Sequence, residues 1–330
     1  MRTWQDREAQ GPGEMPPLVS VIVTTYNHAA YIGAAIQSAL DQDYSNIEVI
    51  VIDDGSTDET AERIQAFGRD VVCVRQDNRG VAASRNAGMS KARGNLLAFL
   101  DGDDLWEPGK LSAQVIAAEA QPQSGLIVCD GVLFDDSGIL QASIMAPVVR
   151  ARLGVAEAVT SWCYREFVQQ NLVATCSQAV TRREVIEKVG MSDRRVSDAS
   201  DWDLYLRIAA RYEVTFLRQS LMRWRYLKES VSGSGALRQM RWMPNAIAVL
   251  RKQLREGPEM FRAEVLAALR ERIVSGGSAI YQYGRETDKV WARRCLLRAI
   301  RETPQSVRLW LLLVALHLPR RMERIARRLT

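Results

Sequence analysis

The sequence predicts an α/β fold in which helices cover both faces of a mainly parallel central sheet. From residue 18 onward, short apolar runs alternate with helical segments. The runs are too apolar for strands with one face in water, as expected for a parallel sheet buried on both sides. The chain has 330 residues, of which 47% are hydrophobic and 25% charged, which is ordinary for a globular protein of two domains.

Each element of the sheet domain has its own signal. Strands are predicted at residues 19–25, 47–52, 71–74, 96–100 and 126–134, with a short last strand at 214–217. Helices are predicted at 31–40, 80–91 and 108–118, from a capping-box signature at 56–59 to about residue 67, and from Asp201 onward. Residues 135–181 are predicted to be mixed.

The chain divides into three predicted regions. Residues 1–17 contain glycine and proline without apolar periodicity and predict a flexible leader without the apolar core of a signal peptide. Residues 18–235 form the predicted α/β domain, and residues 236–330 a helical, basic C-terminal region. Residues 245–330 hold 18 Lys and Arg against 8 Asp and Glu, although the whole chain is only +5. No membrane-spanning segment is expected, and five scattered cysteines favour a reducing cytoplasm.

Three predicted strands end in polar clusters. The first ends in TTYN at 24–27, the second in DDGS at 53–56 and the fourth in DGDD at 101–104. Because ligands of parallel α/β sheets bind at the carboxyl ends of the strands, we expect the three clusters to meet in one crevice. The expected substrate contacts include Thr24, Tyr26 and Asn27 from the first of them.

Two carboxylates one residue apart, Asp101 and Asp103, are candidate ligands for Mg²⁺ or Mn²⁺, which prefer oxygen donors. The alternative is a solvated acidic turn. Asp53 and Asp54 are candidate contacts to a base or a ribose, or they cap the following helix.

Arg85 lies in a helix whose N-terminus could face anionic oxygens, or it is an ordinary ion-pair partner. Asp201, in the first turn of its helix, is a candidate general base or only a partner of the helix dipole. Trp202 beside it is a candidate substrate contact. No GxGxxG fingerprint and no P-loop is present, which argues against dehydrogenases and P-loop ATPases. With two histidines in the chain, proton abstraction falls mainly to carboxylates.

Five motifs in order resemble the family 2 inverting glycosyltransferases of the GT-A fold: VSVIVTTYN, VIVIDDGSTDET, NRGVAASRNAG, LLAFLDGDDLWEPGKL and SDWDLYLRIA. The resemblance covers about residues 18–230. It implies transfer of one sugar from a nucleotide-sugar donor, most simply a UDP-sugar, to a glycan or lipid-linked acceptor, with a role in cell-surface polysaccharide synthesis and no nucleic-acid partner.

The resemblance also implies residue roles. Thr24, Tyr26 and Asp54 would contact the base and ribose, with Asp53 supporting them, and Arg85 would lie near the diphosphate. Asp101 and Asp103 would form the DxD element that meets ribose and metal, and Asp201 would be the catalytic base.

The chain departs from the family in three places. Ser200 replaces the common Glu before the base, residues 224–232 lack a histidine, and Gln239 to Trp242 is one residue too short for the QxxRW of processive members. Two other functions stay open: a nucleotidyltransferase acting on sugar phosphates, and a non-catalytic nucleotide-sugar-binding scaffold. The basic tail with Arg320, Arg321, Arg324, Arg327 and Arg328 predicts either peripheral contact with the inner membrane face or simple helix packing.

Overall fold

A computed structural model describes residues 16–227, 236–283 and 307–315, together with positions 293, 296, 297 and 300. The strands are β1 Val19–Thr25, β2 Ile47–Asp53, β3 Val72–Arg75, β4 Leu96–Asp101, β5 Leu105–Trp106, β6 Ser124–Asp135, β7 Gly138–Gln141, β8 Ala158–Ser161, β9 Ala179–Arg182 and β10 Glu213–Arg225. The helices of the same unit are α1 Ile32–Leu40, α2 Thr60–Gln65, α3 Val81–Lys91, α4 Lys110–Ala120, α5 Pro147–Leu153, α6 Tyr164–Gln169, α7 Arg183–Val189 and α8 Ser200–Ala209.

The strands form one sheet in the order β3-β2-β1-β4-β9-β6-β10-β5, with β7 paired to β6 and β8 to β10. The first four strands of this order are parallel to one another. Strand β9 then pairs antiparallel with both β4 and β6, and β6 runs parallel to β10. Every residue of β1 is buried, as a strand covered on both faces requires.

Three local predictions need correction. The last strand of the sheet extends over Glu213–Arg225, well beyond the predicted 214–217, because its polar second half pairs with β6 and β5. Strand β9 was not predicted within the mixed segment. The predicted capping box at 56–59 does not form: α2 begins at Thr60, and the side chain of Asp58 accepts the backbone N–H of Thr60 at 3.0 Å.

Close packing of α3 on β1 depends on Gly88. A Cβ at this position would overlap the side chain of Ile22, which is fully buried in β1. We expect Gly88→Ala to lower the free energy of unfolding by about 1–3 kcal/mol, since overpacking forces strands and helices apart. Gly33→Ala in α1 is the matched control, because no atom lies within 4 Å of its added methyl group, and it should be neutral or stabilising by up to about 1 kcal/mol. Chemical denaturation compares the two, and equal stability of both variants would contradict the packing argument.

A buried lysine connects α4 to the centre of the sheet. Lys110 is fully buried, its Nζ donates to Oε1 of Gln114 at 2.6 Å, and it lies 3.9 Å from the centroid of the Trp106 ring. Gln114 in turn donates to the carbonyls of Ile127 and Gln178 at 3.0 and 2.9 Å. Burial lowers the pKa of Lys110 to about 8 from the usual 10.5, because the charged form loses its hydration.

The lowered pKa of Lys110 predicts a pH-dependent stability. The unfolded chain keeps this proton up to about pH 10.5, whereas the folded chain releases it near pH 8. The unfolded state therefore binds more protons in that window, and the contribution of Lys110 to the free energy of unfolding rises with pH by up to about 3 kcal/mol. Between pH 7.5 and pH 10, the free energy of unfolding of wild type should rise relative to that of Lys110→Met by about 2–3 kcal/mol, as measured by chemical denaturation. A difference between the two proteins that does not change with pH would contradict the assignment.

A second compact unit follows the first, which ends at Leu227. Its described helices are α9 Ala236–Glu256, α10 Arg262–Tyr283 and α11 Val307–Ala315. Helices α9 and α10 bury apolar side chains, among them Ile247, Leu250, Leu269 and Ile273. Among the described residues, no helix combines the length and apolarity that a bilayer crossing requires. The predicted leader up to residue 15, the serine-rich segment 230–232 and the arginines at 320–328 lie outside the described residues.

Candidate active site

Strand register brings the three predicted clusters to one edge of the sheet. Strand β1 lies between β2 and β4, with Thr25 opposite Asp53 and Thr24 opposite Asp101. The N–H groups of the following residues continue this pairing: Asp54 donates to the Thr25 carbonyl and Gly102 to the Thr24 carbonyl, both at 2.9 Å. The loops after three strands are therefore neighbours at the carboxyl edge, although they are up to 77 residues apart along the chain.

The loop after β1 presents Tyr26, whose side chain is 43% exposed. The next residue, Asn27, adopts a left-handed conformation with φ of 55°, which asparagine tolerates better than most residues. Its Oδ1 accepts the backbone N–H of Thr57 at 2.8 Å, and its own N–H donates to Oγ of Ser56 at 2.9 Å. Asn27 thus joins the loops after β1 and β2, and the exposed Tyr26 precedes it at the carboxyl edge of the sheet.

Asp53 and Asp54 are buried and have partners inside the protein. Oδ1 of Asp53 accepts the Ser56 N–H at 2.9 Å, and its Oδ2 lies 3.5 Å from Nε of Arg75. The carboxylate of Asp54 accepts the N–H groups of Arg79 and Gly80 at 3.0 and 2.8 Å, immediately before α3. Neither aspartate caps α2, and Asp54 instead binds the backbone of the two residues that precede α3.

Arg85 on α3 forms an ion pair with Asp101 at the end of β4. The distance from its Nη2 to Oδ1 of Asp101 is 3.1 Å, and the two side chains are 11% and 27% exposed. Oδ1 of Asp101 also accepts Oγ1–H of Thr24 at 3.3 Å and Sγ–H of Cys176 at 3.3 Å. Burial is the largest single influence on Asp101 and opposes its ionisation, but the charge of Arg85 and the hydrogen bonds from Cys176 and Arg85 together lower the pKa of the carboxyl. Asp101 is therefore a charged, well-anchored group.

The two aspartates that follow have different environments. Asp104 is buried; its Oδ2 accepts Oγ–H of Ser177 at 2.6 Å, and its Oδ1 accepts the N–H of Arg225 at 3.0 Å. Asp103 is half-buried, and no side chain in the described part of the chain hydrogen-bonds or ion-pairs with its carboxylate. Burial raises the pKa of Asp103; the charge of His28 opposes this shift and that of Asp101 adds to it.

Asp201 lies in the first turn of α8, with its Oδ2 accepting Nδ2–H of Asn171 at 3.3 Å. Burial raises the pKa of Asp201, whereas the charge of Arg85 lowers it and that of Asp101 raises it further. Asp201 is thus close enough to the Arg85–Asp101 pair to interact with both charges. A carboxylate with a raised pKa and a fixed position is suited to accept a proton.

Trp202 lies in the protein interior. It is fully buried, and its indole Nε1–H donates to the carbonyl of Phe167 at 2.7 Å. This bond connects α8 to α6, and the predicted substrate contact of Trp202 stays a prediction that its burial does not support. Arg85, Thr24 and Cys176 all contact Oδ1 of Asp101, and its role as a metal ligand stays a prediction.

Sequence reasoning missed the turn that supports residues 101–104 at the end of β4, here called the acidic loop. Residues 176–178 form a short 3₁₀ turn capped by Thr175. The hydroxyl of Thr175 is shared between two carboxylates: it lies 3.3 Å from Oδ2 of Asp101 and 3.2 Å from Oδ2 of Asp104, and can donate to either. Oγ of Ser177 accepts the backbone N–H of Asp101 at 3.0 Å. The indole of Trp106 donates to the Ser177 carbonyl at 2.9 Å. No motif marks this TCSQ segment, so only tertiary structure could identify it.

The described residues contain no group of three or more metal-ligating side chains. The unpartnered carboxylate of Asp103 nevertheless fits the way in which Mg²⁺ and Mn²⁺ are commonly held, by one or two carboxylates together with substrate phosphates. Asp103 is therefore the residue of this loop that best fits a cation ligand.

A family model described as "Glycosyl transferase family 2" matches residues 20–190, slightly more than half of the chain. The chain belongs to glycosyl transferase family 2. An uncharacterized glycosyltransferase from Nostoc sp. is 34% identical over 181 residues, covering 52% of either chain. The Escherichia coli enzyme WfaP, a UDP-Glc:alpha-D-GlcNAc-diphosphoundecaprenol beta-1,3-glucosyltransferase, is 40% identical over 106 residues, covering 32% of this chain and 42% of WfaP. The chain thus spans about half the length of these curated relatives.

Solved structures share the fold. Staphylococcus aureus TarS 1–349 in complex with UDP-GlcNAc matches with a TM-score of 0.63 at 16% identity, covering 90% of both chains. The mannosyltransferase PcManGT from Pyrobaculum calidifontis, in complex with GDP-Man and Mn²⁺, matches with a TM-score of 0.56 at 20% identity, covering 95% of this chain and 91% of that one. The GT-A fold class and the family predicted from the sequence motifs are confirmed.

Proposed function

We propose that the protein is an inverting, metal-dependent glycosyltransferase that moves one sugar from a nucleotide-sugar donor to a hydroxyl of a glycan or lipid-linked acceptor. One observation carries the proposal: two half-buried carboxylates lie by the Arg85–Asp101 ion pair at the carboxyl edge of the sheet, with Asp103 two residues after Asp101 and Asp201 within electrostatic range of the pair. A site for displacing a diphosphate needs a cation-binding group and a proton acceptor near each other, and these two carboxylates supply both.

The donor's nucleotide would bind along the loops after β1 and β2. Tyr26 offers an exposed ring for stacking on a base, and Asn27 fixes the backbone of that loop. Thr24, Asp53 and Asp54 are at most 6% exposed; they shape the floor of the site through hydrogen bonds inside the protein. Exposed aromatic rings commonly bind bases by stacking.

The acidic loop and α3 would hold the diphosphate end of the donor. Asp101 keeps Arg85 in place, and the charged guanidinium lies where it offsets negative charge on phosphate oxygens. Asp103 would hold a divalent cation, which would add further charge stabilisation for the leaving diphosphate. Asp201 accepts the proton of the attacking hydroxyl as that oxygen bonds to the anomeric carbon. A single displacement with no covalent sugar intermediate inverts the anomeric configuration.

Related proteins support the choice of substrate class. TarS has been solved with UDP and with UDP-GlcNAc, PcManGT with GDP-Man and Mn²⁺, and the name of WfaP specifies a UDP-sugar donor and a diphosphoundecaprenol-linked acceptor. For this chain we propose a UDP-sugar as donor and a role in cell-surface polysaccharide synthesis.

The test is a panel of UDP-, GDP-, CMP- and dTDP-sugars with and without Mn²⁺, followed by thermal unfolding. A donor that binds only the folded state raises its stability, by an amount that grows with the logarithm of the ligand concentration above the Kd. We expect stabilisation by one nucleotide class, increased by Mn²⁺, and slow release of the free nucleoside diphosphate. Release of pyrophosphate from a nucleoside triphosphate and a sugar phosphate would identify a nucleotidyltransferase instead. Binding without any turnover on lipid-linked or glycan acceptors would favour a scaffold.

The C-terminal region is proposed to contact an anionic membrane surface. On α11, Val307, Trp310 and Val314 are 69%, 46% and 55% exposed, at spacings that place them on one helix face. The five arginines of 320–328 follow in the sequence, a composition suited to anionic lipid. Trp310→Ser should lower sedimentation with anionic vesicles while zwitterionic vesicles bind neither protein; equal sedimentation of variant and wild type would contradict the contact.

A further inference from the structure

His28 is fixed by its backbone at the start of α1. Its N–H donates to Oγ1 of the buried Thr60 at 2.9 Å. Its carbonyl accepts the N–H groups of Tyr31 and Ile32, both at 2.9 Å. The residue therefore has a defined place two residues after Tyr26, in the loop that follows β1. Since these bonds involve only the main chain of His28, the side chain is not needed for them.

Neighbouring side chains connect the imidazole ring to the acidic loop. It contacts the Tyr31 ring edge-on, with 6.5 Å between centroids. The guanidinium of Arg225 lies 4.7 Å from the centroid of the same tyrosine, and its Nε–H donates to the carbonyl of Asp103 at 3.1 Å. A stack of side chains thus connects His28 to the backbone of Asp103. Burial is the largest influence on the pKa values of Asp101 and Asp103, and His28 acts against it at both carboxyls, although the net shift is downward for Asp101 and upward for Asp103. The ring is therefore within electrostatic range of both carboxylates.

Neither ring nitrogen of His28 hydrogen-bonds to another group in the described ranges, and Nδ1 is buried without a partner. Buried polar atoms without partners are rare, and each calls for a ligand or another explanation. The carboxylate of Asp103 likewise has no side-chain hydrogen bond or ion pair among the described residues. An imidazole nitrogen and a carboxylate with no other partners are donors that one divalent cation satisfies together.

We infer that His28 and Asp103 are the two protein ligands of the divalent cation that accompanies the donor. The inference rests on the proposed function, since phosphate oxygens of the donor would fill further coordination positions. An imidazole ligand favours Mn²⁺ and Co²⁺ over Mg²⁺, because nitrogen donors suit transition metals and Mg²⁺ selects oxygen. The metal preference of the protein is therefore set by the loop after β1 as well as by the acidic loop.

The experiment is pulsed electron paramagnetic resonance of Mn²⁺ bound to the full chain in the presence of UDP, where a directly bound imidazole nitrogen modulates the electron spin echo. His28→Ala is compared with His317→Ala, which removes the only other histidine. We expect nitrogen modulation in wild type and in His317→Ala, its loss in His28→Ala, and at least about a tenfold rise in the Kd for Mn²⁺ in that variant. Circular dichroism verifies that each variant is folded.

The outcomes separate the two proposals. Mn²⁺ bound with UDP but without nitrogen modulation in wild type overturns the role of His28 and leaves the proposed function intact. Nitrogen modulation that persists in His28→Ala likewise overturns the role of His28 and leaves the proposed function intact. If wild type binds no Mn²⁺ together with UDP, both the metal-dependent transfer and the histidine ligand are wrong.

Discussion

Asp201→Asn is expected to lower the turnover number by about 10²–10⁴-fold, the range that general base catalysis contributes. The amide keeps the shape of the carboxylate but no longer accepts the proton of the attacking hydroxyl. Donor binding should persist, because Arg85 keeps its ion pair with Asp101 at 3.1 Å. Initial rates of nucleoside diphosphate release, measured beside the Kd of UDP, distinguish the two effects.

Asp70→Asn is the matched control for Asp201→Asn. Asp70 is exposed and precedes β3 at the opposite edge of the sheet, so this same chemical change should leave both turnover and nucleotide binding unchanged. Full activity in Asp201→Asn would remove Asp201 from the role of base. Loss of UDP binding in that variant would show instead that Asp201 positions the donor.

Asp103→Asn is expected to remove the contribution of metal to nucleotide binding. With Mn²⁺ present, the Kd of UDP should rise to the value that wild type shows after chelation of the metal, because an amide is a weaker ligand and carries no charge to match the cation. Calorimetric titration of UDP into both proteins, with Mn²⁺ and with a chelator, forms a cycle in which mutation and chelation act on the same interaction.

In that cycle, chelation should raise the Kd of UDP for wild type by at least about tenfold. The Kd of UDP for Asp103→Asn should be the same with Mn²⁺ and with the chelator. If the variant still responds to Mn²⁺ as strongly as wild type does, the cation binds elsewhere. Lower stability of Asp103→Asn is not expected, since its carboxylate has no hydrogen-bond or ion-pair partner within the residues that the structure describes.

The sequence predicted the edge of the sheet where the site lies, because strand ends and polar clusters coincide in the chain. The runs before residues 26, 54 and 101 are apolar enough to define buried strands, and parallel strands place their carboxyl ends together. The same reasoning could not rank the polar residues by accessibility. Asp54 and Asp104 differ little from Asp103 in sequence context, yet both are buried and hydrogen-bonded.

The rest of the site depends on contacts between distant segments. The support of Asp101 and Asp104 by Thr175 and Ser177 spans 71 to 76 residues, and nothing local in either segment signals it. The burial of Trp202 follows from packing against Phe167, whereas its position beside the candidate base favoured a substrate contact. The sequence motifs were sufficient to identify the family. The hydrogen-bond partner of each side chain could be assigned only from the three-dimensional structure.

The most direct test of the whole account is a crystal structure of the protein with UDP and Mn²⁺, with data recorded at a wavelength where manganese scatters anomalously. The account predicts the uracil ring beside Tyr26, the diphosphate toward Arg85 and an anomalous peak next to the carboxylate of Asp103. Nucleotide bound at another surface, or a manganese peak away from the loop after β4, would contradict it.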